Sequence, residues 1–353
     1  MKYLCSLVLF FLAISLNGQV RLDADGPGNT YNLITSVLAP GYNPIEVPDC
    51  NHVDFGDHID EIFDADLNTN VFRFYMHVTP DNDRCKNFDR QRNEIKSYDK
   101  SPDNLLGISG EKVIYKWKFK LDRDFQSSPN FTHIHQLKSV GGPFESMPMY
   151  TLTTRKGSPD RLELRYAETD SQITLKRTDL LPLLGTWLEV TETIEYGDSG
   201  AYSIEINRIS DAVLLFEYSN NDMVNWREDA EFVRPKWGIY RSLNNAQDLR
   251  DEQVLFANFS VEEVETLSAD TSEFQKDFYI LSNASKSNIM LKNIPDGADF
   301  VRIYTLDGRK VWEKKINKGE AVLDMSLLSD GTYIIRVSGK ALNQSKLIVL
   351  SES

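Results

Sequence analysis

Three short stretches of the sequence carry ionisable side chains at every second position, the spacing that places them on one face of an extended strand. In Arg90-Gln-Arg92-Asn-Glu94-Ile-Lys96, the residues Arg90, Arg92, Glu94 and Lys96 project together, and a face with four charges cannot be core. In Thr132-His133-Ile-His135-Gln136-Leu-Lys138, Gln136 and Lys138 share one face and His133 and His135 the other, so one stretch holds two of the five histidines. In Lys236-Trp-Gly238-Ile-Tyr240-Arg241, Lys236, Gly238 and Tyr240 align, and the glycine between two large polar residues leaves room over the backbone for a ligand. Cations hold anions, while histidine, lysine and tyrosine move protons. Taken singly, each stretch also has a bland reading: a solvated face with cross-strand ion pairs, histidines satisfied in a core, a tyrosine tucked into packing.

The elements that must position these residues are strands. Lys112–Leu121 is the clearest, with Val113, Tyr115, Trp117, Phe119 and Leu121 directed one way and Lys112, Ile114, Lys116, Lys118 and Lys120 the other, one face core and one mostly solvent. Further short strands read at 72–77, 131–138, 149–154, 161–166, 187–194, 202–206, 213–218, 236–241 and 254–261, bounded by Gly, Pro, Asn and Asp. So many strands without long helices predict an all-β chain folded as a two-sheet sandwich. Residues 57–63 are the best candidate for a short helix. A polar, aperiodic stretch over 264–273 reads as a linker. Beyond it, 274–353 carries strands at 278–281, 287–291, 300–304, 310–315, 331–337 and 345–350, with Asp307-Gly308 and Asp330-Gly331 as turns, a small antiparallel β-sandwich domain.

The ends and the composition narrow the class. Lys2, an apolar run from Leu7 to Leu16 and the small Gly18 ahead of Gln19 make residues 1–18 a secretory signal peptide, leaving a catalytic-sized unit at 19–263. The run is too short to span a bilayer and no later segment is long enough, so no membrane span is expected. Cys5 precedes the apolar run rather than ending it, which argues against a lipid anchor. Cys50 and Cys85 remain, both in polar loop sequence and bound for an oxidising compartment, so a Cys50–Cys85 disulfide is expected. Without a second Cys or His pair at ligand spacing, no zinc site is expected. Asp23-Ala-Asp25-Gly26 is acidic enough for a structural calcium but lacks the full spacing of an EF-hand loop. With 41% hydrophobic residues the 353-residue chain can bury one large core and one small one. A net charge of −14 argues against nucleic acid as partner, since phosphate binding needs a concentrated basic surface. A local basic groove for a polyanion remains compatible with it.

The tail resembles the C-terminal sorting domain of Bacteroidetes type IX secretion substrates. The resemblance rests on Val301-Arg-Ile-Tyr-Thr-Leu-Asp-Gly-Arg-Lys-Val311, on Met325-Ser-Leu-Leu-Ser-Asp-Gly-Thr-Tyr-Ile-Ile-Arg-Val337 and on Lys346-Leu-Ile-Val349. It implies export across the outer membrane, with the type IX machinery as partner. An accessory carbohydrate-binding sandwich is the alternative. The candidate aromatics, Tyr279, Tyr304, Trp312 and Tyr333, lie mostly in or beside the strand motifs that the sorting family buries.

The three polar strands together, Arg92-x-Glu94-x-Lys96, Gln136-x-Lys138 and Lys236-x-Gly238-x-Tyr240 in that chain order, resemble the motif triplet of jelly-roll polysaccharide lyases, Arg-x-Glu-x-Arg, Gln-x-His and Lys-x-Gly-x-Tyr. Lys96 stands for an arginine and Lys138 for the histidine common in alginate lyases, which weakens alginate as substrate. With Asp83-Arg-Cys85, Asp89-Arg-Gln-Arg92, Ser139-Val-Gly-Gly142 and Pro235-Lys-Trp-Gly-Ile-Tyr-Arg-Ser242, the stretch 20–263 looks most like the ulvan lyases of polysaccharide lyase family 28. The resemblance implies a β-jelly-roll (a concanavalin-like two-sheet sandwich) that cleaves an anionic polysaccharide by β-elimination. Proton removal from C5 of a uronate requires its carboxylate to be neutralised, and one well-placed donor is worth roughly 3–4 kcal/mol. Lys138, Gln136 and Arg92 are the candidates for that task. Tyr240 would be base and then acid, in the positive field of Lys236 and Arg92, because a free tyrosine titrates only near about 10. A β-bulge could instead deliver His133 or His135 as base. Arg90, Glu94, Lys96, His133, Lys236 and Arg241 would bind substrate. Glucuronan and alginate are the alternative polymers. A monomer without redox or nucleotide cofactor is expected.

Two other classes are weaker. A glycoside hydrolase needs two carboxylates at controlled separation; the nearest stretch, Asp57-His-Ile-Asp60-Glu61-Ile-Phe-Asp64, has a spacing that suits a short helix and reads as structural. A non-catalytic carbohydrate-binding protein would display aromatic platforms and would not need a tyrosine and cations to converge.

Overall fold

The computed structural model describes residues 19–264, 278–282, 289–294, 297–306, 308–316, 319–339 and 342–350. The leader at 1–18 and the linker residues 265–273 lie outside them. The all-β expectation holds: residues 20–264 form a jelly-roll sandwich of two antiparallel sheets. One sheet runs Val213–Met223, Gly200–Arg208, Leu188–Glu195, Lys112–Leu121, Glu252–Val264, Thr69–Met76, Ile59–Asp64, with Val20–Leu22 also on Glu252–Val264. The other runs Ile173–Asp179, Arg161–Tyr166, Tyr150–Arg155, Thr132–Val140, Phe232–Ser242, Arg90–Lys96, Ile45–Glu46. The three polar stretches of the sequence are thus neighbours in the second sheet, although 150 residues separate Arg90 from Tyr240.

Alternation builds the core between the sheets. Every second residue of Lys112–Leu121, from Val113 to Leu121, is buried as read, and Trp117 meets Trp237 of the facing sheet at a ring separation of 6.2 Å. Tyr150 and Tyr202 stack across the same interface at 3.8 Å. Burying such rings contributes roughly 1.5–3 kcal/mol each and fixes which face of the second sheet is left for a groove.

Two local readings are corrected. Residues 57–63 do not form a helix; Ile59–Asp64 is a strand paired with Thr69–Met76. The period there is two: Ile59 and Glu61 turn inward, while Asp60 on the other face accepts Arg73 Nε and Nη2 at 2.9 and 2.7 Å. Asp64 then closes the hairpin by accepting the backbone N–H of Asp66 and Leu67. The helix lies instead at Thr30–Leu38, where Thr30, Ile34 and Leu38 recur every fourth residue and are buried. In the tail, sheets of three and four strands enclose a separate cluster that includes Phe278, Ile303 and Ile335. Gly319–Leu323 supplies a strand there that the sequence reading lacked.

Candidate active site

The register of the second sheet assembles the site. Lys236 lies opposite both Lys96 and Gln136, and Tyr240 lies between Arg92 on one neighbour and His133 on the other. Gly238 has a role other than making room for a ligand. Its φ is +146°, and a Cβ there would sit 2.1 Å from the Asn93 carbonyl oxygen, so glycine permits the close approach of the neighbouring strand. The pairing slips between Trp237 and Tyr240 and between His133 and His135. This bulge sends the two histidines to opposite faces.

His133 joins the face of Gln136 and Lys138, with its ring 4.7 Å from Phe131 and 5.6 Å from Tyr240. Its Nδ1 is buried without a hydrogen-bond partner among the described residues. Burial, with Arg155, Arg92 and Lys236 acting in the same direction and Glu94 opposing them, pushes its pKa down to about 3, so the imidazole is neutral at physiological pH. His135 turns into the core instead. Its Nε2 is 2.8 Å from Glu192, and its ring lies 4.3 Å from Trp117. At 1% exposure it is out of reach of any substrate, which removes it as a base.

Tyr240 is half-buried. Its hydroxyl accepts a hydrogen bond from Arg90 Nη1 at 3.1 Å, and the guanidinium of Arg92 lies 3.6 Å from its ring centroid. Arg90 is itself held by Asp89 through Nε and Nη2 at 2.7 and 2.6 Å. A phenolate oxygen formed at Tyr240 would therefore face one fixed guanidinium with another over its ring. Lys138 reaches the Ser146 carbonyl at 3.2 Å. Burial first, and then Lys236, Arg234 and Arg92, lower its pKa to about 8.

Beneath these residues is a buried ion network. Glu94, fully buried, accepts from Arg92 Nη1, Gln136 Nε2 and Lys236 Nζ, the last at 2.6 Å. Glu46 accepts from Lys236 Nζ at 2.5 Å, Arg84 Nη1 at 2.6 Å and Lys96 Nζ at 2.9 Å. Asp83 accepts Arg92 Nε at 2.9 Å and Arg84 Nε at 2.8 Å. Four cations face three carboxylates, so this network is locally positive in a chain of net charge −14. Burial works against the Glu46 charge, yet Lys236, Arg92, Lys96 and Arg84 together hold its carboxyl far below the usual range.

The network corrects several expected substrate contacts. Glu94, Lys96 and Lys236 are buried and bonded to one another's partners, so they set the floor rather than touch a ligand. Gln136, also buried, is committed to Glu94. Arg241 is on the opposite face, fully buried, donating to Gln91 Oε1 at 2.7 Å and the Arg250 carbonyl at 2.9 Å. Of the predicted residues, the fold brings Arg90, Arg92 and the buried His133 together at Tyr240, while Lys138, partly exposed, lies farther along the strand of His133. Glu46 was missed because it sits on a two-residue strand, too short for any periodicity to register. Asp83 was visible only as part of a loop motif.

Cys50 and Cys85 are disulfide-bonded, with Cα atoms 6.3 Å apart. The linked loops also hold His52, His58, His77 and Asp81, whose ligand atoms lie within 4.8 Å of one another. Along the sequence no zinc-ligand spacing marks this group, because its members are spread over 30 residues and meet only when the hairpin and loops fold. Asp23, read as a possible calcium ligand, accepts a hydrogen bond from Asn258 Nδ2 at 2.7 Å.

Residues 283–351 match the family model described as a secretion system C-terminal sorting domain. No curated protein matches the chain in sequence. Among solved structures, similarity is found to an endo-β-1,4-glucuronan lyase from the fungus Trichoderma reesei, at 18% identity and a TM-score of 0.41, covering 58% of this chain and 87% of that one. A PL-14 alginate lyase from Aplysia kurodai is similar at 12% identity and a TM-score of 0.47, covering 69% and 98%. An alginate lyase from Klebsiella pneumoniae is similar at 10% identity and 0.45, covering 63% and 95%. Residues 283–351 thus match a secretion-sorting domain, and the all-β sandwich ahead of them carries a basic, tyrosine-bearing cluster on its second sheet.

Proposed function

We propose that residues 19–263 form a polysaccharide lyase that cleaves a uronate polymer by β-elimination, with ulvan as the first candidate substrate and glucuronan and alginate as the alternatives. The observation that carries this reading is the convergence of Arg90, Arg92 and His133 on Tyr240, with Lys138 farther along the strand of His133. In the proposed reaction Tyr240 takes the C5 proton, the C4–oxygen bond breaks as the C4–C5 double bond forms, and the same hydroxyl returns its proton to the departing oxygen. Lys138 and the neutral His133 meet the uronate carboxylate, and Arg90 and Arg92 hold the charge on the phenolate. The atoms balance without any redox cofactor. The sorting tail supports type IX export, so the polymer would be met outside the cell.

The test is incubation of the protein with ulvan, glucuronan, alginate and heparin, following the ultraviolet absorbance of the unsaturated product. Absorbance growth on one uronate polymer, lost in Tyr240→Phe with polymer binding retained, is expected. Binding without any unsaturated product on the whole panel would instead support a carbohydrate-binding protein.

A further inference from the structure

We propose that His52, His58, His77 and Asp81 form a binding site for a divalent transition metal of the zinc class. Among the described residues they are the one group of three or more His, Cys, Asp or Glu side chains at ligand spacing. The Asp81 carboxylate lies 2.9 Å from His52 Nδ1, 3.2 Å from His58 Nε2 and 3.0 Å from His77 Nδ1. Ligands at zinc bond lengths of about 2.0–2.1 Å on a tetrahedron stand about 3.3–3.4 Å apart, close to these distances from Asp81, while the four ligand atoms as a set lie within 4.8 Å and would draw together around an ion.

The hydrogen-bonding pattern points the same way. Asp49 takes one nitrogen of His58, Nδ1, at 2.7 Å, and is itself held by the Tyr31 hydroxyl at 2.8 Å. His58 thus sits between two carboxylates, Asp49 at Nδ1 and Asp81 at Nε2, and an ion held at Nε2 would keep Asp49 as the partner behind the ring. A carboxylate behind the ligating histidine is also the usual outer support of a metal site. Three imidazoles and one carboxylate select zinc, cobalt, nickel or copper over magnesium and calcium. His58 and Asp81 are fully buried, whereas the side chains of His52 and His77 are 22% and 19% exposed and leave a way in. Phe55 covers the cluster, its ring 5.2, 4.7 and 4.4 Å from those of His52, His58 and His77.

The ion would tie together the two loops that Cys50–Cys85 already joins. It would also reach the groove indirectly. The Asp81 carbonyl accepts Gln91 Nε2 at 3.0 Å, and Asp83, two residues on, holds the Arg92 that covers Tyr240. Asp81 is therefore a positioning residue with respect to that groove.

The test uses metal analysis of the folded, disulfide-bonded protein, stripped with a chelator, equilibrated with zinc and desalted. One zinc per chain is expected, with a higher thermal midpoint than the stripped form, no uptake of calcium, and the visible bands of a four-coordinate ion when cobalt replaces zinc. His52→Ala with His77→Ala should lower zinc affinity by more than the 10–100-fold typical of losing an outer partner, with unchanged circular dichroism. Less than a tenth of an equivalent of zinc in folded wild-type protein overturns the proposal, and this measurement needs no variant to fold. Undiminished stoichiometry in the double variant overturns it equally. Neither result involves a polysaccharide, so failure here and failure of the lyase reading are separate.

Discussion

Glu46→Gln should destabilise the sandwich strongly although it changes one oxygen to an amide on a two-residue strand. Glu46 is the shared acceptor of Lys236, Arg84 and Lys96 at 2.5, 2.6 and 2.9 Å, and Lys96 has no other carboxylate among the described residues within ion-pair distance. The side chains of Lys96 and Lys236 are only 10% and 4% exposed, so water cannot replace the lost charge. Removing one partner of a buried ion pair costs about 3–5 kcal/mol. For a domain of this size that corresponds to a fall of roughly 6–20 °C in thermal midpoint. The sign with pH follows from the depressed carboxyl. Its stabilisation is complete above the unfolded value of about 4.3 and is lost as pH falls from there toward the folded value. The gap between wild type and Glu46→Gln should therefore be full at pH 7 and narrow below about pH 4. Thermal and urea unfolding followed by tryptophan fluorescence at both pH values measures it. Adding Lys96→Met to Glu46→Gln should recover part of the loss, since it deletes the stranded ammonium. A penalty below about 1 kcal/mol at pH 7, or one that does not depend on pH, would refute the account of the floor as a charge-balanced unit.

Tyr240→Phe keeps the ring beneath Arg92 and loses one hydrogen bond, about 0.5–1.5 kcal/mol of stability at most, while turnover should fall by about 10²–10⁴-fold; near-normal turnover together with an inactive, folded His133→Ala would make histidine the base. Lys138, with a pKa of about 8, should impose an alkaline limb on turnover as its charge is lost above that pH, and Lys138→Arg should move the limb upward or abolish it; an unchanged limb in that variant would show that another group titrates. His135→Ala should leave substrate affinity intact but cost at least about 1–3 kcal/mol in a melt, because Glu192 keeps only its bond from Tyr202. Opening the 35-residue loop with paired Cys50→Ser and Cys85→Ser changes should cost about 4 kcal/mol by the chain-entropy estimate, and a melting curve unchanged by reductant would contradict it.

The sequence by itself determined the class of the chain and most of its strands. Alternation in Lys112–Leu121 and Arg90–Lys96 is a property of neighbouring residues, so both boundaries could be read without any tertiary contact. The sorting tail was legible because its motifs are local. The register belonged to the tertiary structure. A one-residue bulge after His133 reverses the face of every later side chain in that strand, and no local pattern announces it. That slip brought His133 to Tyr240 and withdrew His135 to Glu192. Only packing could show that Glu94, Lys96 and Lys236 are a buried floor, because a charged strand face looks alike whether water or another ion pair covers it. The histidine cluster was hidden for the same reason. His52, His58, His77 and Asp81 lie on loops and a strand end, and their convergence depends on three-dimensional closure that spacing along the chain does not encode.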